Sequence, residues 1–462
     1  MTPCLTQFLI SLLIATHLKG LTELLPGVNG GLLYATFNKE LDKFIQEEGL
    51  SSQSQEDETT KRFSAASKIF NLFARDMTSS VNSPALMKKH LEATGGKIVT
   101  RFPPEPNGFL HLGHAKAMRF SFQAAKDHQG ICYLRYDDTN PLTESPEYIQ
   151  SIEENVRWLG YTPHTITHAS DYFPQIFDFA VHLIKQGKAY ICNQPQDEMQ
   201  AFRKEKKPSP SRDRSPEESL DLFYRMKAGE FQEGEYCLRL KIDYASENPT
   251  LRDPVAYRIK YHPHPETGKT WCIYPTYDFT HGISDSLENI THSLCTLEFE
   301  IRRDLYYWIL EAVDIYRPSV WEFSRLNITK TVLSKRKLNK LVTLGIVRGW
   351  DDPRLLTING LRRRGVPPSA INDFCDEISV TRRGNETMLS VKLLEHCIRR
   401  DLDKTSPRTM SIISPLKVVI TNMQEGQEEE IEVYPFPKDK TQGEPYKITL
   451  GKEIYIEATD FR

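Results

Sequence analysis

The sequence predicts an α/β protein on a doubly wound parallel sheet, followed by a helical segment and then by an antiparallel β segment. Three observations carry this. From Val99 onward short apolar strands alternate with amphipathic stretches, as in sheets that bind nucleotides beyond the carboxyl ends of their strands. Residues 338–410 keep a helical period. From Pro415 the period drops to two, in LKVVITN, EEIEVYPF, YKITL and EIYIEA, each bounded by polar turns. With 462 residues, 39% hydrophobic and 26% charged, the chain can bury sizeable cores and should form about two to four domains.

The elements follow in order. Leu5 to Leu18 is an apolar run like a signal h-region, but it is too short to span a membrane and no Lys or Arg precedes it. A buried amphipathic helix or an imperfect gene start is expected there, and no membrane partner. Residues 51–62, SSQSQEDETTKR, read as a linker. Thr94, Gly95 and Gly96 lead into a strand at Val99 to Phe102, a Pro/Gly turn at Pro103 to Gly108, and a helix from Leu110. The helix start offers free N–H groups and partial positive charge to phosphate oxygens. His111 and His114, at i and i+3, share one face and can donate to a phosphate whose charge grows in a transition state. Gly113 between them lets a nucleotide lie against backbone. By themselves the two histidines also fit an ordinary helical pair or half a metal site. The next strand, ICYLRYDDTNP, ends in two carboxylates, Asp137 and Asp138. Far downstream Ser334, Lys335, Arg336 and Lys337 form a cationic loop suited to departing phosphates, or else a solvated basic face.

Charge and cysteine usage narrow the class. A net charge of −3 does not announce a nucleic-acid partner, so local basic clusters must carry one: Lys330 to Lys340, Arg362 to Arg364, and Arg399 with Arg400. Eight cysteines without a CxxC pair argue for reduced thiols in a cytosolic setting and no structural metal. His262 and His264 in YHPHP read as loop residues.

PPEPNGFLHLGHAKA and TVLSKRKL, in this order, resemble the HIGH and KMSKS signatures of class I aminoacyl-tRNA synthetases, and the first string is similar to the glutaminyl/glutamyl branch. The resemblance runs from about Ser83 to the end. It implies an N-terminal extension over 1–82, a Rossmann-like catalytic domain over 83–337 with an acceptor-end insertion at about 160–257, a helical connector over 338–412, and a partial anticodon-binding β-barrel over 413–462. The family continues well past Arg462, so C-terminal truncation is expected: a fragment, a truncated gene model or a degenerate paralogue.

The resemblance also implies roles. His111, His114 and Lys335 are the expected catalytic residues. ATP, with Mg2+, is expected on Glu105, Pro106, Asn107, His111, Gly113, His114, Lys116, Thr296, Arg325, Leu326, Leu333, Ser334 and Lys335. The amino acid is expected on Asp137, which takes the α-ammonium, and on Tyr277, His281 and Cys295. The loop at Lys207 to Glu218 is expected to be exposed and to meet RNA phosphate.

FTHGISD and THSLCT favour glutamine over glutamate. Glutamyl enzymes lack the histidine at His281 and carry arginine at Cys295, where a neutral thiol cannot balance a γ-carboxylate. Val320 departs from the glutamine common there in glutaminyl enzymes. The expected activity is ligation of glutamine to tRNA(Gln) by a cytoplasmic monomer, with membership of a multi-synthetase assembly left open. The alternatives are a glutamyl enzyme and an inactive tRNA-binding paralogue.

Overall fold

The computed structural model describes residues 81–382, 384 and 388–461. The expectations for Leu5 to Leu18 and for 51–62 lie outside the described residues.

Helix α1 (Pro84–Thr94) starts on the Ser83 hydroxyl and stops at Gly95, whose φ of +60° suits a residue without Cβ. The chain then alternates: β1 (Val99–Phe102), α2 (Leu112–Asp127), β2 (Ile131–Tyr136), α3 (Pro146–Trp158), β3 (Ile166–His168). These strands form one parallel ladder, with Val99 opposite Ile131 and Leu134 opposite Ile166. Covered on both faces, β1 buries all four of its residues.

An insertion follows: α4 (Phe173–Lys185), β4 (Ala189–Cys192), α5 (Gln196–Glu205), α6 (Pro216–Ala228), β5 (Cys237–Leu240), β6 (Val255–Ile259) and β7 (Ile273–Pro275). Its four strands make an antiparallel sheet in the order β4-β5-β6-β7. The chain returns through α7 (Tyr277–Leu287), β8 (His292–Thr296), α8 (Arg303–Ala312) and β9 (Ser319–Phe323), and β8 pairs β9 in parallel. The two parallel ladders meet where Thr291 N donates to Val99 O at 2.9 Å and Val99 N donates to Thr291 Oγ1 at 2.9 Å. β1 therefore has β2 on one side and β8 on the other, which makes this seam the topological switch point where ligands bind such sheets.

The rest comprises β10 (Asn327–Ile328), α9 (Lys335–Thr343), α10 (Ile358–Arg363), α11 (Pro368–Ile378), β11 (Met388–Leu389) and α12 (Val391–Thr405), then β12 (Pro415–Val419), β13 (Glu429–Val433), β14 (Tyr446–Leu450) and β15 (Glu453–Glu457). Leu361, Ile371, Phe374 and Leu394 of these helices share one buried cluster with Leu112, Met118 and Leu134 of the sheet layer. The helical segment is thus packed against α2 and β2. The terminal strands pair as β12 with β15 and β13 with β14. Among the described residues these stay two separate antiparallel ladders and no barrel closes.

Candidate active site at the sheet's switch point

The helix after β1 begins two residues later than the sequence suggests, because His111 is its cap rather than part of it. His111 has extended backbone (φ −123°, ψ 173°), and its Nδ1 accepts from Gly113 N at 3.1 Å while His114 Nδ1 accepts from His111 N at 3.1 Å. The two imidazoles thus form a reciprocal capping box, with ring centroids 3.9 Å apart. Burial, then the Lys335 charge, lowers the His111 pKa to about 4, and burial, then His111 and Lys335, holds His114 well below the ordinary histidine value. Both rings are neutral near pH 7. With each Nδ1 accepting, each proton sits on Nε2, which is free to donate to a phosphate. Gly113 has a nearer reason than nucleotide approach: a Cβ there would lie 2.9 Å from His111 Cε1. The strand entry is clamped from the connector, as Leu112 N donates to Leu356 O at 3.0 Å and Ile358 N to Leu110 O at 2.9 Å.

Lys335, Arg336 and Lys337 are not a loop. They open α9, whose Ser334 cap makes no side-chain bond, and buried Leu338 anchors the first turn. The Lys335 ammonium donates to Asn107 Oδ1 across Gly108, whose φ of +155° an L side chain rarely adopts. Asn107 Nδ2 donates to Glu105 Oε2 at 2.6 Å. Burial lowers the Lys335 pKa to about 8, with the Glu105 carboxylate opposing. The buried Pro106 carbonyl accepts from Ser145 N at 3.2 Å, fixing this turn. His111, His114, Lys335, Asn107 and Glu105 are therefore gathered on one turn.

Beside them β2 ends at Asp137, which is 4% exposed. Its Oδ1 accepts from Arg135 Nε at 3.0 Å, and its Oδ2 is buried with no hydrogen-bond partner. A buried, unpaired carboxylate oxygen is costly unless a ligand donates to it. The Tyr277 ring stacks on His281 with centroids 5.2 Å apart, and burial, then the Asp137 charge, pushes the Tyr277 hydroxyl well above its usual pKa.

Sequence reasoning missed what lies behind this pocket. Arg101, fully buried on β1, donates to Asp285 Oδ1, Leu294 O and Ser293 Oγ at 2.8 Å each. It also lies 2.8 Å from His281 Nε2 and 3.4 Å from Cys295 Sγ. Arg135 pairs with Asp285 at 2.8 Å and Glu288 at 2.9 Å. Burial would raise the Asp285 pKa, but Arg101, Arg135 and His281 hold it well below the carboxylate range. Burial opposes a charged His281, yet Asp285 and Cys295 raise its pKa to about 9. Cys295 belongs to the same network, through Arg101 and His281. Burial would raise its pKa, but Arg101 and His281 outweigh that and draw it below the ordinary thiol value. Val320 sits opposite Ser293 and packs with Tyr306 and Leu310.

Other expected ligands are placed differently. The Lys116 ammonium is buried and donates to Ser324 O at 2.7 Å, tying α2 to the end of β9. Thr296 pairs with Phe323 and caps a 3-10 turn; Arg325 forms an ion pair with Glu298; Leu326 lies in the main core; Leu333 packs against that core. The Lys207 to Glu218 stretch is irregular as far as Ser215 and exposed at Lys207, Pro208, Pro210 and Asp213, but it is pinned at several points. Ser209 and Ser211 are buried, Arg212 Nε donates to Asp253 Oδ2 at 2.8 Å, and Pro216 opens α6. His264 is not a loose loop residue either. Its Nδ1 accepts from Glu266 N and Thr267 N at 3.1 and 3.3 Å, so its Nε2–H donates to Asp138 O at 2.7 Å, next to Asp137.

Two parallel ladders meeting at a switch point, a histidine pair capping the helix after β1, and a later lysine over the same turn define the catalytic domain of a class I aminoacyl-tRNA synthetase. Residues 97–404 match the catalytic domain of "tRNA synthetases class I (E and Q)" and residues 406–462 the anti-codon binding domain of the same group, and the chain belongs to this family. It is 54% identical over 383 residues to a glutamine–tRNA ligase of Lupinus luteus, covering 82% of this chain and 48% of that one. It is 51% identical over 377 residues to that of Bos taurus, covering 82% and 48%. Against that of Bradyrhizobium diazoefficiens it is 52% identical over 371 residues, covering 79% and 66%. The chain spans about half the length of most of the curated relatives it matches. In fold it is similar to a glutamate-tRNA synthetase from Elizabethkingia anophelis, with TM-score 0.50 and 20% identity over 67% of this chain and 71% of that one.

Proposed function

We propose that the chain ligates glutamine to tRNA(Gln) in two steps. The glutamine carboxylate attacks the α-phosphate of ATP, giving glutaminyl adenylate and pyrophosphate, and the 2′-hydroxyl of the terminal tRNA adenosine then takes the glutaminyl group. The observation that carries this is the buried, partnerless Asp137 Oδ2, close enough to Tyr277 for its charge to act on that hydroxyl. An α-ammonium supplies the donor that this oxygen lacks. The positive groups near Cys295 are already matched, since Arg101 and His281 both face Asp285. The pocket therefore offers no free charge to a γ-carboxylate, which favours the amide.

The neutral Nε2–H groups of His111 and His114 donate to phosphate oxygens, and the Lys335 ammonium, released from Asn107, follows the charge that develops on pyrophosphate. Mg2+, accompanying the nucleotide, is part of the same proposal. No described helix is long and apolar enough to cross a membrane; a cytoplasmic monomer is part of the same proposal.

The test is charging with pure tRNA(Gln) and tRNA(Glu), ATP and each amino acid. Glutaminylation of tRNA(Gln) alone is expected, with pyrophosphate exchange negligible until tRNA is added. Robust exchange with glutamate in the absence of tRNA would overturn the assignment.

A further inference from the structure

The insertion sheet holds a pair of reactive groups that ligation does not use. Cys192 ends β4, Cys237 opens β5, and the antiparallel register sets them directly opposite. Opposed residues project from the same face of the sheet. Lys241 N donates to Lys188 O at 2.8 Å, and counting along the ladder in twos makes Cys192 and Cys237 a hydrogen-bonded pair as well. Ile191, between those positions, turns its N–H outward to Ser219 Oγ at 3.4 Å, as this phase requires. Such pairs have Cα atoms about 5.5 Å apart, which is within the span of a disulfide. Both thiols are free; Cys192 is buried and Cys237 partly exposed. A hydrogen bond from Cys237 draws the Cys192 pKa down to about 5 against the effect of burial.

The outer edge of β4, the end strand of the sheet, is covered by the segment before α6. Cys192 Sγ lies 3.4 Å from Ser209 Oγ, Ser211 Oγ donates to Asn193 Oδ1 at 2.9 Å, and Arg214 Nη1 donates to Ile191 O at 2.7 Å. Cys192 is thus one of the points that hold the covering segment down.

We infer that Cys192 and Cys237 form an oxidisable dithiol site in the insertion, which closes to a disulfide on reaction with a hydroperoxide. Cys237, the less buried of the two, has its pKa raised by the hydrogen bond to Cys192 and by burial, so it attacks the peroxide as its proton passes to the Cys192 thiolate; the O–O bond breaks, and the alcohol or water leaves with a proton from solvent. Cys192 then attacks the resulting sulfenic sulfur, the S–S bond forms, and the hydroxyl departs as water with the proton that Cys192 had taken from Cys237. Two thiols lose two electrons and the peroxide is reduced by two. Bound covalently to Cys237, the Cys192 sulfur loses the proton and charge with which it bonded Ser209, so the covering segment loses that anchor. None of this depends on the ligation reading.

The experiment treats the reduced full chain with hydrogen peroxide under native conditions, alkylates it in denaturant, and maps peptides by mass spectrometry. The expected result is a Cys192–Cys237 cross-linked peptide that a thiol reductant reverses, with Cys132, Cys295, Cys375 and Cys397 still alkylated. Native trypsin should then cut after Arg212 or Arg214 several-fold faster in oxidised protein. In Cys192→Ser and Cys237→Ser, which keep the size of the side chain, peroxide should give no cross-link and no change in cleavage rate. Stepwise oxidation of wild-type Cys237 with Cys192 left alkylatable, or no modification of either thiol, overturns the proposal. A cross-link without faster cleavage overturns the loosening.

Discussion

Replacing Asp137 with asparagine isolates the charge opposite the α-ammonium. The side chain keeps its size, and its amide oxygen can still accept from Arg135 Nε, now bound to Asp137 Oδ1 at 3.0 Å. Arg135 also retains Asp285 at 2.8 Å and Glu288 at 2.9 Å, so the buried network survives the exchange. What disappears is the negative charge on the partnerless oxygen. A hydrogen bond to a charged group contributes about 1.5–3 kcal/mol net, so the affinity for the amino acid should fall about 10- to 150-fold. In tRNA-dependent pyrophosphate exchange with varied glutamine, the KM should rise by that factor while kcat changes little. Discrimination between glutamine and the analogue lacking its α-amine should shrink in parallel. An unchanged KM for glutamine would falsify the role of Asp137, and equal losses in kcat and thermal midpoint would make it a scaffold residue.

Four further outcomes follow from the same geometry. His114→Ala and Lys335→Ala should each slow adenylation about 10²–10³-fold with a smaller effect on ATP binding, whereas exposed Lys337→Ala should do far less; a rise confined to the KM for ATP would make either residue a ground-state binder. Because burial lowers the Lys335 pKa to about 8, kcat/KM for ATP should decline as pH rises through 8, and Lys335→Arg should lose that limb. The same shift makes Lys335 a stability term that rises with pH between about 8 and 10.5, since there the unfolded chain binds more protons; a profile flat to pH 10 contradicts both. Gly113→Ala pushes on the His111 ring 2.9 Å away, so it should cost about 1 kcal/mol of helix capping and slow adenylation; a variant indistinguishable in thermal melting and rate shows that the ring moves freely. His264→Ala should raise the KM for glutamine by releasing the backbone at Asp138, and His264→Gln, which can still donate, should restore much of it; identical kinetics in the two variants would remove its positioning role.

Which parts of this site can be read from the sequence depends on how far apart in the chain their partners lie. His111, Gly113 and His114 lie within four residues, so the resemblance to a known signature is legible without knowledge of the fold, although the two histidines alone leave a helical pair or half a metal site open. Even so the sequence placed them inside the helix, because nothing local says that an imidazole rather than a hydroxyl will cap it. Lys335 was legible as a charge near phosphates, but its secondary structure was not: a serine before a basic run reads equally as a loop or as an N-cap. Arg101, Arg135 and Asp285 were missed because their meaning lies in contacts between elements up to 194 residues apart in the chain, and VTRF and ICYLRY simply read as strands. A usable signal did exist. An arginine inside a short apolar strand of a parallel sheet is buried on both faces, and a buried guanidinium demands acidic partners. ISDSLEN offers two, Asp285 and Glu288, three residues apart beside one helix end. Counting charges that the fold must bury, and asking which acids can reach them, would have led from β1 and β2 to the helix behind the pocket.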